Sequence, residues 1–487
     1  MQSLDHALRV PDRVPTAARV SKTIASTPLV DGYQMPAEWE VHERRVFLPD
    51  SSPIYCSMLV GCAHNACCPC LPQNRSLHVL LLQVCRSEII PSAGAAEFEH
   101  ALESRRGECG IFPACLAFSV ISSRTWMLWP TRPDTWKESA RPAQLAFAKV
   151  AKAIARFEPV TVGVPSSHLQ SARTQLDAAG IEVVVVEQDD AWMRDTGPVF
   201  VVGGTGNQRS NAQQLRLRNV RGVDWSFNAW GGDLGGCFST WDKDNAIASE
   251  VLGLVGADRY KAKMILEGGS VHVDGEGTVI TTEECLLNPN RNPTFARSEI
   301  ENNLRDYLGV ESVLWLGQGV IGDSDTDGHV DNLVAFVRPG EVVLHWTDDT
   351  RDPQHAVSSN ALRKLEDFTD AKGRQLKVHK CPLPGPLYTS KEDVESLERK
   401  AGTRERIHGD RLAASYVNFY LANGAVILPG FGVPEDEVAS QLFKEIFPGR
   451  EIVQVNTLDI ALGGGNIHCI TQQQPRGTID SHTQAQA

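Results

Sequence analysis

The sequence predicts an α/β fold built from repeated ββαβ units, and three observations carry the prediction. From residue 142 onward, stretches with apolar residues at helical spacing alternate with short β-rich runs. Hairpin turn chemistry recurs between those runs. No phosphate-binding glycine fingerprint opens a helix, and hairpins interleaved with single helices do not follow the strand-helix-strand order of a dinucleotide-binding sheet.

Ala143 to Phe157 (AQLAFAKVAKAIARF) reads as a helix leading into the β-rich Pro159 to Val164. A second helical stretch, Ser167 to Ala179, leads into Ile181 to Glu187 (IEVVVVE). Gly203-Gly204-Thr205-Gly206 comes after a strand but enters a polar stretch, so it reads as a turn. Hairpins are expected at Asp274-Gly275-Glu276-Gly277, at Pro339-Gly340 between LVAFVR and EVVLHW, and at Asn423-Gly424 between VNFYLA and AVILP. Further helices are expected at Asn245 to Val255, Ser298 to Leu308, Asn360 to Phe368 and Glu435 to Ile446. The repeat is supported by element order, not by internal sequence similarity.

Composition narrows the function. With 487 residues, 42% hydrophobic and 22% charged, the chain can bury a large core, which excludes global disorder, collagen and coiled coil. Apolar runs such as Val79 to Leu82 and Leu333 to Val337 are far too short to cross a bilayer, so no membrane partner is expected. A net charge of −13 lacks the basic balance of a nucleic-acid binder and mildly favours cationic partners.

Of the twelve cysteines, Cys56, Cys62, Cys67, Cys68, Cys70, Cys85, Cys109 and Cys115 all fall between residues 46 and 124. That imbalance separates a thiol-poor body from a cysteine-rich insertion. No apolar signal core opens the chain, so a reducing, cytoplasmic compartment with free body thiols is expected. Arg9, Arg13, Arg19 and Lys22 among Ser, Thr, Ala and Pro make residues 1–30 a disordered tail, with plastid or mitochondrial targeting as the alternative.

Four clusters sit beside glycines at expected strand ends, where side chains can be presented into a cleft. They are Asp189 to Pro198 (DDAWMRDTGP), Leu266 to Ser270 (LEGGS), Asp325 to Asn332 (DTDGHVDN) and Gly463 to Cys469 (GGGNIHC). If the third is a strand, His329 and Asp331 point to one face, pairing an acid-base group with a carboxylate. Taken singly, each cluster reads equally as an ordinary turn or a small buried thiol. Together, a thiol, histidine and several carboxylates, with no CxxC or HExxH in the body, favour nucleophilic thiol chemistry without cofactor or metal.

MPAEWE (Met35 to Glu40), TWMLWP (Thr125 to Pro130), DDAWMRDTGP, LEGGS, TDGHVDN and GGGNIHC, in this order, resemble the agmatine deiminases, members of the guanidino-group-modifying superfamily. The resemblance covers residues 31–45 and 125 to about 475. It implies the pentein fold, five ββαβ units in a pseudo-fivefold α/β propeller with the active site in a central channel. It also implies hydrolysis of agmatine to N-carbamoylputrescine and ammonia, a step of putrescine and polyamine biosynthesis. Deimination of arginine or peptidyl arginine, and a catalytically impaired binding protein, are the alternatives.

The resemblance assigns roles to particular residues. Asp195 and Asp331 are the carboxylates that hold the guanidinium, as bidentate, charge-assisted bonding to a delocalised cation requires. Cys469 is the nucleophile that forms an amidino-cysteine. His329, kept basic by Glu267, is the acid that protonates departing ammonia and then the base that activates water. Trp192 is expected to pack on the guanidinium or its methylene chain, with core filling as the alternative reading. The expected partner is a small cationic guanidine, and the family commonly forms homo-oligomers.

The pattern is broken once. Residues 46–124 separate His42-Glu43-Arg44 from Thr125 onward, where the resemblance resumes. This segment has no lysine and no sustained period, which favours a translated intervening sequence over a loop-forming insertion, and either over a zinc-binding module. Arg45 and Thr125 are expected to lie close together. The chain thus divides into a tail over 1–30, a catalytic domain over 31–45 plus 125–475, an irregular insertion over 46–124 and a disordered tail over 476–487.

Overall fold

The computed structural model describes residues 21–38, 124–203 and 219–477, and the expectations for the insertion, the juxtaposition of Arg45 with Thr125, and the outermost tails lie outside them. The described strands form five sheets that share one pattern: an antiparallel pair whose second strand is joined, through a helix, to a parallel third. A parallel neighbour cannot be reached by a tight turn, so each unit needs that crossover helix.

In chain order, Val199–Gly203 pairs antiparallel with Asn219–Ser226, and helix Ile247–Val255 leads to the parallel strand Arg259–Ile265. Val271–Val273 and Thr278–Thr282 precede helix Arg297–Leu308 and the parallel Ser312–Leu316. Val334–Arg338 and Glu341–Trp346 lead through helix Pro353–Asp367 to Lys377–Pro382. Tyr420–Ala422 and Ala425–Gly430 lead through helix Glu435–Ile446 to Glu451–Asn456. The remaining sheet joins both ends of the catalytic body: Gln472–Gln474 pairs antiparallel with Arg124–Leu128, which continues through helix Arg141–Ala155 to Val160–Val164 and then to Ile181–Val185.

The three expected hairpins are present, each turning on a glycine with positive φ: Gly275 at 70°, Gly340 at 79° and Gly424 at 80°. Strand Ala425–Gly430 is buried along its whole length, which explains an apolar run with no alternation. Helix Pro353–Asp367 begins seven residues before the expected Asn360, capped by the Asp352 side chain on the Gln354 N–H. Its first turns bury Gln354 and Ser358, bonded to each other and to the Ile321 N–H and the His345 carbonyl. Satisfied polar groups therefore occupy positions where apolar periodicity would have marked the start.

Two expectations are corrected. Residues 21–30 are not a disordered tail: Thr23–Ile24 pairs in parallel with Arg259 and Tyr260, and the Leu29 N–H reaches the Asp306 carbonyl at 2.9 Å. His329 and Asp331 do not lie in a strand, because Val330–Asn332 is a 3-10 turn that precedes strand Val334–Arg338. Strand spacing is thus not what brings these two side chains to one place. No described helix is long and apolar enough to cross a membrane.

Candidate active site

Four chain segments, each entering a strand of an antiparallel pair, supply the candidate groups. Asp195 lies in the single helical turn Met193–Thr196 before Val199–Gly203. Glu267 precedes the 3-10 turn Gly268–Ser270 that opens Val271–Val273. His329 and Asp331 flank the start of the turn before Val334–Arg338. Cys469 comes after the glycine run and precedes Gln472–Gln474. Strand ends present side chains at fixed positions because the hydrogen-bonded ladder immobilises the adjoining backbone.

Three of these groups converge on Gly269, and Glu267 and Cys469 join them through His329 and Asp331. A Cβ at Gly269 would stand 2.5 Å from His329 Nδ1, 2.9 Å from Asp331 Oδ2 and 3.1 Å from Asp195 Oδ1, so only glycine fits between them. Its N–H donates to Asp195 Oδ1 at 2.9 Å, while Trp230 Nε1–H donates to Asp195 Oδ2 at 2.9 Å. His329 is completely buried, with Nδ1 3.9 Å from Asp195 Oδ2 and Nε2 3.9 Å from Glu267 Oε2. The other oxygen of Glu267 is held by Arg291 Nε at 2.6 Å. Cys469 Sγ accepts from Asn418 Nδ2 at 3.2 Å and lies 3.4 Å from Asp331 Oδ2.

Electrostatics separates these groups. Burial acts to lower the His329 pKa, but the charges of Asp195 and Glu267 and the neighbouring Cys285 reverse that and hold it well above the ordinary imidazole value. Burial pushes the Asp195 carboxyl up. Asp331 is equally buried, yet the His468 hydrogen bond brings its carboxyl below the usual value. Burial, with Asp331 and Asp195 nearby, drives the Cys469 thiol well above its ordinary value.

A pocket of about 470 Å³, open to solvent, is lined by Cys469, Asp195, Trp192 and Trp230, with Asp325 and Arg406 among its other walls. Trp192 is nearly buried, stacks on Trp136 at 5.2 Å and donates to Asp190 Oδ2, so it both fills core and forms cavity wall. Gly465 lets its ring approach: a Cβ there would fall 2.5 Å from the Trp192 ring and 3.0 Å from Cys469 Sγ. His329, Asp331 and Glu267 are not among the lining residues and reach the cavity through their contacts with Asp195 and Cys469.

Sequence reasoning did not single out the support behind this site. Arg194 Nη1 donates to Glu38 Oε1 at 3.0 Å, Glu38 Oε1 lies 2.7 Å from His468 Nε2, and His468 Nδ1 lies 2.8 Å from Asp331 Oδ2. Positive and negative groups thus alternate up to the carboxylate beside the thiol. The only sequence signal was position, since Glu38, Arg194 and His468 all fall inside the motifs MPAEWE, DDAWMRDTGP and GGGNIHC.

Among the described residues, two groupings bring metal-type donors within 4.8 Å of one another: Glu38, His272 and His468, and Glu267, Cys285 and His329. In the first, Glu38 and His468 already bond Arg194 and Asp331, and in the second Glu267 already bonds Arg291. Among the described residues these could hold an ion, and in each grouping a carboxylate already bonded to a guanidinium would have to be shared with it.

The sequence pattern of the Porphyromonas-type peptidyl-arginine deiminase family matches residues 120–475. An agmatine deiminase of Pseudomonas aeruginosa (strain LESB58) is 53% identical over 353 residues, which is 72% of this chain and 92% of that protein. One from Ectopseudomonas mendocina (strain ymp) is 51% identical over 354 residues, 72% of this chain and 93% of that protein. A solved structure of the agmatine deiminase of Enterococcus faecalis superposes with a TM-score of 0.72 at 36% identity, covering 94% of this chain and 100% of that one. With the family pattern spanning most of its length and relatives above half identity, this chain belongs to the Porphyromonas-type peptidyl-arginine deiminase family, among the agmatine deiminases.

Proposed function

We propose that the protein hydrolyses agmatine to N-carbamoylputrescine and ammonia through a covalent amidino-cysteine, a putrescine-forming activity. The observation that carries this reading is the convergence of Asp195, His329 and Asp331 on Gly269, with Cys469 Sγ 3.4 Å from Asp331. Asp331 Oδ1 is buried and without a hydrogen-bond partner, an acceptor suited to a donor such as a guanidinium N–H.

Bound between Asp195 and Asp331, the guanidinium supplies the positive charge that the thiol lacks in its carboxylate surroundings, so substrate itself promotes ionisation of Cys469. The thiolate electron pair attacks the guanidinium carbon to form a C–S bond. His329, kept protonated by its carboxylates, gives its proton to one nitrogen, and the C–N bond breaks as ammonia leaves. The resulting neutral imidazole takes a proton from water, whose oxygen attacks the same carbon. Collapse breaks the C–S bond, and the hydroxyl proton of the tetrahedral intermediate replaces the one Cys469 lost to solvent on ionisation, restoring the thiol as the carbamoyl product leaves.

The amine end of agmatine is favoured over an amino-acid end by the cavity wall. Arg406 bonds Asp325 and the Gly463 carbonyl, while Arg404 bonds the Ser324 and Gly235 carbonyls. A substrate carboxylate would have to compete with those acceptors for either cation, whereas an amine needs neither. We also read the five hairpin-helix-strand units as a pentein ring around a central channel. Support comes from the position of the candidate groups, on four segments that lead into the antiparallel pairs of four different sheets.

The test is ammonia release from agmatine by Cys469→Ala. Turnover is expected to vanish with the fold intact, and retention of more than a few per cent of activity rejects Cys469 as nucleophile. Mass spectrometry of a His329→Ala variant incubated with agmatine should find any covalent adduct on the peptide that carries Cys469.

A further inference from the structure

We propose that Asn418 is a further catalytic residue whose side-chain amide donates to the sulfur of Cys469 and stabilises its thiolate, an inference that rests on Cys469 being the nucleophile. Asn418 is completely buried and lies two residues before strand Tyr420–Ala422, the first strand of the sheet that supplies neither the thiol, the histidine nor the carboxylates. It therefore occupies the same kind of position as Asp195, Glu267, His329 with Asp331, and Cys469: the segment entering a strand of its sheet's antiparallel pair.

The orientation of its amide is set by the hydrogen bonds. The His468 N–H donates to Asn418 Oδ1 at 3.0 Å, and the Cys469 N–H donates to the same oxygen at 3.3 Å. Two main-chain donors can converge only on an acceptor, so that atom is the carbonyl oxygen and the other end is the NH2. That NH2 points at Cys469 Sγ, 3.2 Å away. On its other side the sulfur meets Asp331 Oδ2 at 3.4 Å, which accepts from a thiol but repels a thiolate. Asn418 Oδ1, 3.5 Å from the sulfur, can accept only while the thiol keeps its proton; once the proton leaves, the Asn418 amide donates to the sulfur beside the Asn466 main chain, and a donor to an ion is stronger than one to a neutral thiol.

A purely structural reading of Asn418 stops at its oxygen, which ties down two consecutive N–H groups of the nucleophile loop. The two readings differ in what happens to thiol ionisation. Rates of iodoacetamide alkylation of the full chain, followed against pH on the tryptic peptide 451–476, report Cys469 alone because that peptide holds no other cysteine. In Asn418→Ala the alkylation midpoint is expected to rise by about one pH unit, a roughly tenfold loss of thiolate at a given pH below it, with a matching fall in kcat. Asn418→Asp keeps an oxygen for both N–H groups and places a second oxygen against the sulfur, so its midpoint should rise at least as far. If the alanine variant does not fold, the aspartate variant decides. A midpoint unchanged from wild type in the folded variant overturns the proposal. The readings fail separately: turnover by Cys469→Ala overturns the nucleophile, whereas an unchanged midpoint overturns only the role of Asn418.

Discussion

His329 and His345 are both buried imidazoles close in sequence, yet they stand in opposite electrostatic regions of the molecule. His329 faces Asp195 and Glu267, each 3.9 Å from one ring nitrogen, and its pKa is held well above the ordinary value despite burial. His345 has a Ser415 hydroxyl 3.1 Å from its Nδ1, and burial together with Arg411 takes its pKa down to about 3. Burial by itself discharges an imidazole. It becomes a buried acid only where carboxylates stabilise the extra proton more than desolvation penalises it.

The contrast is broken most severely by removing the acid. His329→Gln is expected to lower kcat for agmatine by about 10²- to 10⁴-fold, the usual range for loss of acid-base catalysis, while His345→Asn leaves kcat within about twofold. Steady-state ammonia release on both variants checks this, and equal losses would make His329 a structural residue. Next in size is a change in the carboxylates around it. Glu267→Gln removes one of the charges that raise the His329 pKa, so the protonated acid is lost at lower pH. The alkaline limb of the kcat profile should then move down by about one pH unit, and a limb that stays in place removes Glu267 from this role.

The smallest effect is on stability and belongs to the other histidine. The folded pKa of His345, about 3, is below its unfolded value, so the unfolded chain binds the proton first as pH falls. Its contribution to stability is therefore complete above about pH 6.5 and declines from there towards the folded value. Urea unfolding measured between about pH 7 and 5 should show a shallower loss for His345→Asn than for wild type, by at most about 1.4 kcal/mol per pH unit. Parallel slopes would mean that this imidazole does not stay neutral in the folded state.

Much of the site was legible because the chemistry needs particular residue types beside glycine. Glycine-flanked clusters held a thiol, histidines and carboxylates, the family resemblance assigned Cys469, His329, Glu267, Asp195 and Asp331 among them, and contacts in the structure link all five. His329 and Asp331 were placed correctly for a reason that does not hold, since a 3-10 turn and not a strand carries them. Two residues apart is a small enough step for either backbone to gather both side chains. Arg194, Glu38 and His468 lie within the family motifs but carried no role there, because an alternating charge chain exists only after segments more than 150 residues apart meet. Asn418 was read as part of a strand, and nothing in VNFYLA distinguishes a ladder residue from one whose amide faces a sulfur.

By itself the sequence determined the alternation of hairpins and helices, the turns that need glycine, and the inventory of groups able to act on a guanidinium. These are local properties, set by periodicity, backbone sterics and functional-group chemistry within a few residues. Tertiary structure alone decided the protonation of those groups and their partners. His329 and His345 are the same side chain, both buried, and Cys381, like Cys469, is a buried thiol raised by desolvation but set in an apolar cluster. Charge state depends on which carboxylates, guanidiniums and amides lie within a few ångströms, and distant parts of the chain supply most of them.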